Sequence, residues 1–307
     1  FKIKTAVLYN NNLGLKLKKI IASCSLCFFQ LSHADLPLTV ENLISDKGKI
    51  TTEFGLTYGN NKINNTKVGG YIPVQISDSS FINVPTNIRS EQLQNEYLVT
   101  TLGLKYGLIK DLDVSLRTNL LYTSNRFLDV NSEEKSKNET DISDITIGLN
   151  YQFLQDAKYP ALVAFLETSI LEKNEKENSN FSSWSAGITT YRSYDPIVLS
   201  LTTGYKYSLE RNINAVDEYK PADLFFFNPQ IAFSANDLIS LIAGLNFKTI
   251  DTQKLNGQIM EKKRNNIDYS FGIGLGLDDK SNLSILATSH QDFNNSNEIR
   301  LNYNRKF

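Results

Sequence analysis

The sequence predicts an all-β protein: a transmembrane antiparallel up-and-down β-barrel of about twelve strands, preceded by a short N-terminal helix. Three observations lead to this prediction. Apolar and polar residues alternate with a period of two in one segment after another from Ile50 onward. Long polar connections and tight turns alternate between these segments. The final segment, residues 297–307, keeps the alternation and ends on Phe.

Composition argues against two other classes of protein. The chain of 307 residues has a net charge of -1, and nucleic-acid-binding proteins usually present a basic face, so we expect no nucleic-acid partner. No apolar run approaches the roughly 18 residues of a transmembrane helix. The slightly polar mean hydropathy is compatible with a barrel, because barrel strands place half of their residues on a polar lumen.

Residues 1–34 have the pattern of a secretory signal peptide. Lys16, Lys18 and Lys19 form a basic flank, and a short apolar core follows over residues 20–31. Small residues precede Asp35, where we expect cleavage. Both cysteines of the chain lie in the part predicted to be removed, which leaves no thiol for disulfides or metal binding. The alternative is a buried helix of a soluble protein.

Residues 35–48 predict a short amphipathic helix before the first strand. Its apolar positions, Leu36, Val40, Leu43 and Ile44, have helical spacing, and Gly48 is a suitable residue to follow the helix end. The segment is either an ordered lead-in or a plug in the barrel mouth, in which case Val40, Leu43 and Ile44 are its contact residues.

The barrel itself is predicted over residues 49–307. An even number of strands joined by alternating long and short connections places both termini at the short-turn, periplasmic end. A soluble β-sandwich would also alternate, but it does not account for the signal peptide and the loop asymmetry. We therefore expect a location in the outer membrane of a Gram-negative bacterium, in contact with its lipid. The predicted strands are residues 49–59, 96–107, 112–124, 142–153, 161–171, 181–192, 198–210, 223–234, 238–250, 265–277, 283–291 and 297–307.

The same alternation identifies the side chains expected to line the lumen. Acidic and basic residues are balanced among them, so we expect most to form ion pairs with one another. No ring of a single sign, of the kind that gives strong ion selectivity, is evident. The predicted lumen-lining residues are Glu53, Lys105, Asp113, Arg117, Asp144, Glu167, Lys206, Lys248, Asp268, Glu298 and Arg300.

The sequence offers little support for an enzyme. His290 is the one histidine after the predicted cleavage site, and only Ser284 and Thr288 share its side of the strand as candidate nucleophiles. No cluster of histidine and carboxylate residues has metal-ligand spacing. We expect no catalytic activity, no metal and no cofactor.

Leu301, Tyr303 and Phe307 in the last segment resemble the β-signal that the barrel-assembly machinery recognises. Arg305 occupies a position where that signal usually has an apolar residue. The resemblance implies that this segment is the assembly signal, and that it pairs with the first strand to close the barrel.

Four further segments resemble a family of outer-membrane transporter-like barrels grouped under the meta-pathway of phenol degradation. Within that family the likeness is greatest to the barrels that secrete functional-amyloid subunits. The resemblance implies twelve strands, a homotrimer as a candidate assembly, an N-terminal helix that can occlude the pore, and export of unfolded amyloid subunits. The four segments are DLPLTVENLISDKG at 35–48, LGLKYGL at 102–108, YRSYDPIVLS at 191–200 and FNPQIAFSAND at 227–237.

Two functional hypotheses follow. The first is an outer-membrane channel that exports amyloid-type subunits or passes small hydrophobic compounds. The second is a non-conducting structural barrel that acts through its outer loops. The amyloid exporters carry a coiled-coil extension before the barrel, whereas only about fourteen residues separate the predicted cleavage site from the first strand here. Cargo recruitment would therefore have to differ.

Overall fold

The structure, a computed structural model, describes residues 43–62, 71–85, 91–128, 133–174, 177–212, 217–291 and 296–307. The predicted signal peptide and Val40 lie outside these residues. Nineteen strands are present in the described chain. They are β1 (Ile50–Lys62), β2 (Tyr71–Gln75), β3 (Phe81–Pro85), β4 (Glu91–Ile109), β5 (Leu112–Leu128), β6 (Glu134–Leu154), β7 (Ala161–Asn174), β8 (Glu177–Ser179), β9 (Ser183–Tyr194), β10 (Ile197–Ser208), β11 (Arg211–Asn212), β12 (Glu218–Lys220), β13 (Leu224–Asn236), β14 (Ile239–Ile250), β15 (Gln253–Leu255), β16 (Gln258–Glu261), β17 (Arg264–Asp278), β18 (Ser281–His290) and β19 (Asn297–Lys306).

Twelve of these strands form a closed antiparallel barrel. Its order is β1, β4, β5, β6, β7, β9, β10, β13, β14, β17, β18 and β19. The ring closes where β19 pairs with β1, in a register that sets Tyr58 opposite Ile299. The predicted twelve-stranded barrel and its predicted seam between the first and last strands are both confirmed.

The two-residue period separates an outer from an inner face. In β17, Ile267, Tyr269 and Phe271 are exposed, whereas Asp268 and Ser270 between them are buried. Because the same pattern recurs around the ring, the outer surface is a continuous apolar belt of the kind that contacts lipid. No helix of the described chain is long and apolar enough to cross a membrane.

The two ends of the barrel differ. At one end, here called the short-turn end, neighbouring strands are joined by brief connections such as residues 110–111 and 237–238. At the other, the long-loop end, β11, β12, β15 and β16 form an additional four-stranded sheet. Some barrel strands also extend further toward this end than predicted: β6 begins at Glu134 rather than at residue 142. Its ladder with β5 continues there through exposed polar residues, where apolar alternation is no longer needed.

Residues 43–48 do not form the predicted helix. Instead, Lys47 makes a parallel bridge to Gly107, and the Gly48 amide donates to the Gly107 carbonyl at 2.8 Å. The Ser45 amide donates to the Asp113 carboxylate at 2.9 Å. These backbone amides therefore donate to a strand carbonyl and to a side chain, and not to the carbonyls of a preceding helical turn. Gly48 has a positive φ of 75°, a conformation that favours glycine.

Candidate functional site: the plugged lumen

The connection between β1 and β4 contains a β-hairpin that lies inside the barrel. Strands β2 and β3 pair with Val74 opposite Ile82, and Val74, Ile82 and Val84 are buried. They pack in one cluster with Val99 and Leu121 of the barrel wall. The predicted strands at 49–59 and 96–107 leave the residues between them as a long polar connection, so the hairpin is a correction to that prediction.

A signal for this hairpin is present in the sequence. Ile72, Val74 and Ile76 alternate with other residues, and Ile82 and Val84 do so again after four polar residues, Ser-Asp-Ser-Ser. Two short alternating runs around a polar turn are typical of a hairpin. The pattern does not show whether the hairpin points into the lumen or away from the barrel.

The hairpin crosses the lumen from wall to wall. While β2 and β3 contact β4 and β5 on one side, Phe81 packs with Phe165, Leu224 and Phe226 on other strands. The rings of Phe81 and Phe226 have centroids 4.9 Å apart. The hairpin therefore occupies the interior of the barrel as a plug.

The hairpin tip binds a buried charge cluster. Arg117 Nη1 donates to Ser80 Oγ at 2.7 Å and to Glu167 Oε1 at 2.6 Å, and Arg117 Nε donates to Glu53 Oε2 at 3.1 Å. Ser80 Oγ in turn donates to Glu167 Oε2 at 2.6 Å. Since one guanidinium satisfies two buried carboxylates and the hairpin hydroxyl, wall and plug share a single polar network.

Two more wall residues hold the β3 side of the hairpin. Lys206 Nζ donates to the Phe81 carbonyl at 2.6 Å. Asn83 Nδ2 donates to Glu172 Oε1 at 3.1 Å, and Glu172 is also ion-paired with Arg211. The plug is thus bound by charged groups from several strands rather than by apolar packing alone.

The four-stranded sheet fastens the start of β2 at the long-loop end. Gln253 accepts from the Tyr71 amide at 3.2 Å and donates to its carbonyl at 2.9 Å. Tyr219 donates to the same Gln253 oxygen, and its ring lies 4.9 Å from that of Tyr71. Burial raises the pKa of the Tyr219 hydroxyl well above its usual range, so it remains a neutral donor.

A second charge cluster lies on β14, β17, β18 and β19. Lys248 Nζ is 2.7 Å from Asp268 Oδ2, and His290 Nδ1 is 3.0 Å from the same oxygen. His290 Nε2 is 3.9 Å from Glu298, which accepts from the Tyr97 hydroxyl at 3.2 Å. The histidine therefore faces carboxylates on both sides. In the described part of the chain, no group of three or more histidine, cysteine or acidic residues could hold a metal ion.

The structure places the predicted lumen-lining side chains as follows. Glu53, Arg117 and Glu167 come together, as do Lys248, Asp268 and Glu298. Lys105 is half-buried and the other ten are buried. Four others lie outside these two clusters. Asp113 accepts a hydrogen bond from the Ser45 amide, and Asp144 accepts one from Asn119. Lys206 binds the hairpin, and Arg300 faces a cavity.

Of the predicted plug residues, Leu43 enters the barrel at the short-turn end. It packs against Ala161, Tyr191 and Val198, all buried on the inner wall. Ile44 is half-buried. In the part of the chain that the structure describes, residues 43–48 therefore enter the lumen from one end and the hairpin enters it from the other.

A cavity of about 140 Å³ remains between the hairpin tip and Leu43. Val163, Phe165, Ile242 and Leu286 contribute apolar surface to it. Leu283 and Gly274 also line it, together with the polar and charged residues Glu53, Ser77, Asp78, Ser79, Lys105, Arg117, Asn150, Thr189, Gln230, Asn282, Ser284, Arg300, Asn302 and Asn304. The lining of this cavity is thus amphipathic rather than uniformly polar.

The predicted assembly residues lie on the seam strand. Leu301 is opposite Leu56 and Tyr303 is opposite Phe54. Phe307 follows the end of β19, and its amide donates to the Ile50 carbonyl at 2.8 Å. Its ring is exposed, with the Arg305 guanidinium 5.6 Å from the ring centroid.

Comparison with solved structures shows the fold. An outer membrane channel from Pseudomonas putida F1 aligns over 87% of this chain and 98% of its own, with a TM-score of 0.58 and 11% identity. The translocator domain of the autotransporter NalP from Neisseria meningitidis aligns over 99% of this chain and 100% of its own, with a TM-score of 0.51 and 8% identity. No family model matches the sequence, and no curated protein does. With its closed ring and exposed apolar belt, the chain has the fold of a transmembrane β-barrel, and it shares this fold with the outer membrane channel.

Proposed function

We propose that this protein is an outer-membrane channel for small compounds with a substantial apolar part, and that the β2–β3 hairpin closes it in the state described here. The observation that carries the proposal is the apolar surface inside the barrel. The likeness to an outer membrane channel supports it at the level of the fold.

Part of the inner wall is apolar outside the clusters that contain hairpin residues. Ala232, Ile242 and Leu286 form a buried cluster of their own, on strands that face the cavity. A lumen that passes water and ions is polar throughout, because apolar wall residues would cost hydration there. An apolar stripe beside polar groups is better suited to compounds that are themselves partly apolar.

Passage requires that the hairpin move. Its fastening is polar at the tip, through Arg117 and Lys206, and again at its base, through Gln253. Such contacts can be exchanged for water, whereas the apolar contacts of Val74, Ile82 and Phe81 favour the closed state. Because β2 and β3 form no ladder with a barrel strand, the hairpin can leave the lumen while the ladders of the barrel remain intact. The channel is therefore gated by its own first long loop.

Single-channel recording in planar bilayers tests this function. Replacing residues 71–85 with a glycine-serine linker of equal length should convert brief, rare openings into a sustained conductance. Removing residues 43–48 as well should increase it further. A barrel that stays silent after both changes would sink the channel proposal and leave the non-conducting structural barrel as the better account.

Export of unfolded amyloid-type subunits is the second candidate. The family resemblance of the sequence favours it, and the described lumen argues against it, since a polypeptide would have to displace both the hairpin and residues 43–48. Secretion of a reporter amyloid subunit from cells that express this barrel decides between the two. Secretion that depends on the barrel would favour export over passage of small compounds.

A further inference from the structure

The cavity between the hairpin tip and Leu43 has the size of a small organic ligand. Its volume is about 140 Å³, close to the roughly 150 Å³ of an engineered apolar cavity that binds benzene. It therefore has room for one aromatic ring or a chain of about six carbon atoms.

The lining of the cavity combines two kinds of group. Val163, Ile242 and Leu286 present apolar side chains. Arg300, Lys105 and Asn302 present cationic and amide groups, and Leu286 lies directly opposite Arg300 in the ladder between β18 and β19. A ligand that makes favourable contacts with both kinds of group needs an apolar body and a polar head.

Arg300 defines the charge of that head. Arg300 is only 2% exposed, yet its Nε and Nη1 atoms have no hydrogen-bond partner among the described residues. Arg117, which is 5% exposed, satisfies two carboxylates and a hydroxyl. A buried guanidinium with unpaired donors is costly, so the cavity beside Arg300 favours an anionic acceptor.

The charge of Arg117 is already balanced within the wall. Arg117 is ion-paired with Glu53 at 3.1 Å and with Glu167 at 2.6 Å. The other charged residues of the lining are Lys105, Asp78 and Arg300. Arg300 keeps buried donors without a partner among the described residues, and a planar carboxylate matches the paired donors of a guanidinium.

We propose that this cavity binds a small monocarboxylate with an apolar body of about six carbons, its carboxylate on Arg300 and its body against Ile242 and Leu286. The inference rests on the proposed channel function, of which it names the substrate class. It fails independently of that function, because binding is measured without any current.

Hexanoate is the probe, with 1-hexanol as a neutral ligand of similar size and acetate as the head group alone. Binding of labelled ligands is measured by equilibrium dialysis against the full barrel in zwitterionic nanodiscs, with empty nanodiscs as the blank. We expect one hexanoate site per chain, at least tenfold weaker binding of hexanol and acetate, and at least tenfold weaker hexanoate binding by R300Q. R305Q is the matched control, since Arg305 is exposed on the same strand.

Three results would overturn the proposal: no hexanoate binding by the native barrel, hexanoate binding equal to that of hexanol, or hexanoate binding unchanged in R300Q. If R300Q does not fold, I242F decides, because it adds bulk to the cavity lining on β14, away from Arg300 on β19, and should abolish hexanoate binding. Hexanoate binding that I242F leaves intact places the ligand elsewhere and also overturns the proposal. A barrel that binds hexanoate in this way but never conducts would contradict the channel and leave the site standing.

Discussion

Arg117 on β5 donates a hydrogen bond of 2.7 Å to Ser80 at the tip of the lumenal hairpin. The same nitrogen binds Glu167 of the wall at 2.6 Å. Arg117 therefore joins the hairpin to the barrel while it also balances carboxylates of the wall. The closed state consequently depends on residues of the wall as well as on residues of the hairpin.

Loss of the Arg117 side chain should destabilise the barrel and open it. In R117Q, Glu53 and Glu167 lose the cation that pairs both of them, and breaking a buried pair from one side costs about 3 kcal/mol or more. Urea unfolding in detergent should show this loss, and the open probability in bilayers should rise.

The matched control for that experiment is R192Q. Arg192 pairs with Asp156 at 3.0 Å but is partly exposed, so its loss should cost less than about 1 kcal/mol. Equal destabilisation by the two variants would contradict the role assigned to Arg117.

Removing the contacts at the base of the hairpin should loosen it without unfolding the barrel. Q253A deletes the side chain that binds both backbone groups of Tyr71, which should destabilise the hairpin by about 1–3 kcal/mol. Amide hydrogen exchange should accelerate over residues 71–85, while the ladder between β9 and β10 keeps its protection. Unchanged exchange in the hairpin would show that the tip alone holds it.

The approach of residues 43–48 to the wall depends on Gly107. A Cβ at this position would lie 2.0 Å from the Asp46 carbonyl oxygen, a distance that the backbone cannot accept. G107A should therefore displace Leu43 from the lumen and expose residues 43–48 to protease. L108A is the control, because the adjacent side chain is exposed on the outer face and should leave protease sensitivity as it is.

The aromatic end of the chain should affect assembly more than stability. The Phe307 ring is exposed, so F307A loses little packing, but the resemblance to a β-signal implies slower insertion by the barrel-assembly machinery. Pulse-chase assays of folded barrel in cells should show the delay. L238A, another exposed apolar residue at the short-turn end, should assemble at the native rate. If F307A also assembled at the native rate, Phe307 would not be part of the assembly signal.

Much of the barrel could be predicted from the sequence because its wall is governed by a local rule. Alternating side chains must face lipid and lumen in turn, so Ile267 and Asp268 take opposite faces without reference to any distant residue. The same rule located the strands, and the seam between β1 and β19 follows because a closed barrel leaves no open strand edge.

What the sequence by itself determined is therefore the wall: which residues form strands, and which side of each strand meets lipid. Only the tertiary structure decided what fills the lumen. The hairpin is directed inward by contacts with strands far away in sequence, through residues such as Lys206 and Glu172. Leu43 packs against Ala161, Tyr191 and Val198, which are also far away in sequence. The tertiary structure also decided which buried charges pair. Arg117 binds two carboxylates and the hairpin, whereas Arg300 faces a cavity. Alternation in the sequence assigns each side chain to a face of the sheet, but it does not identify its neighbours across the lumen.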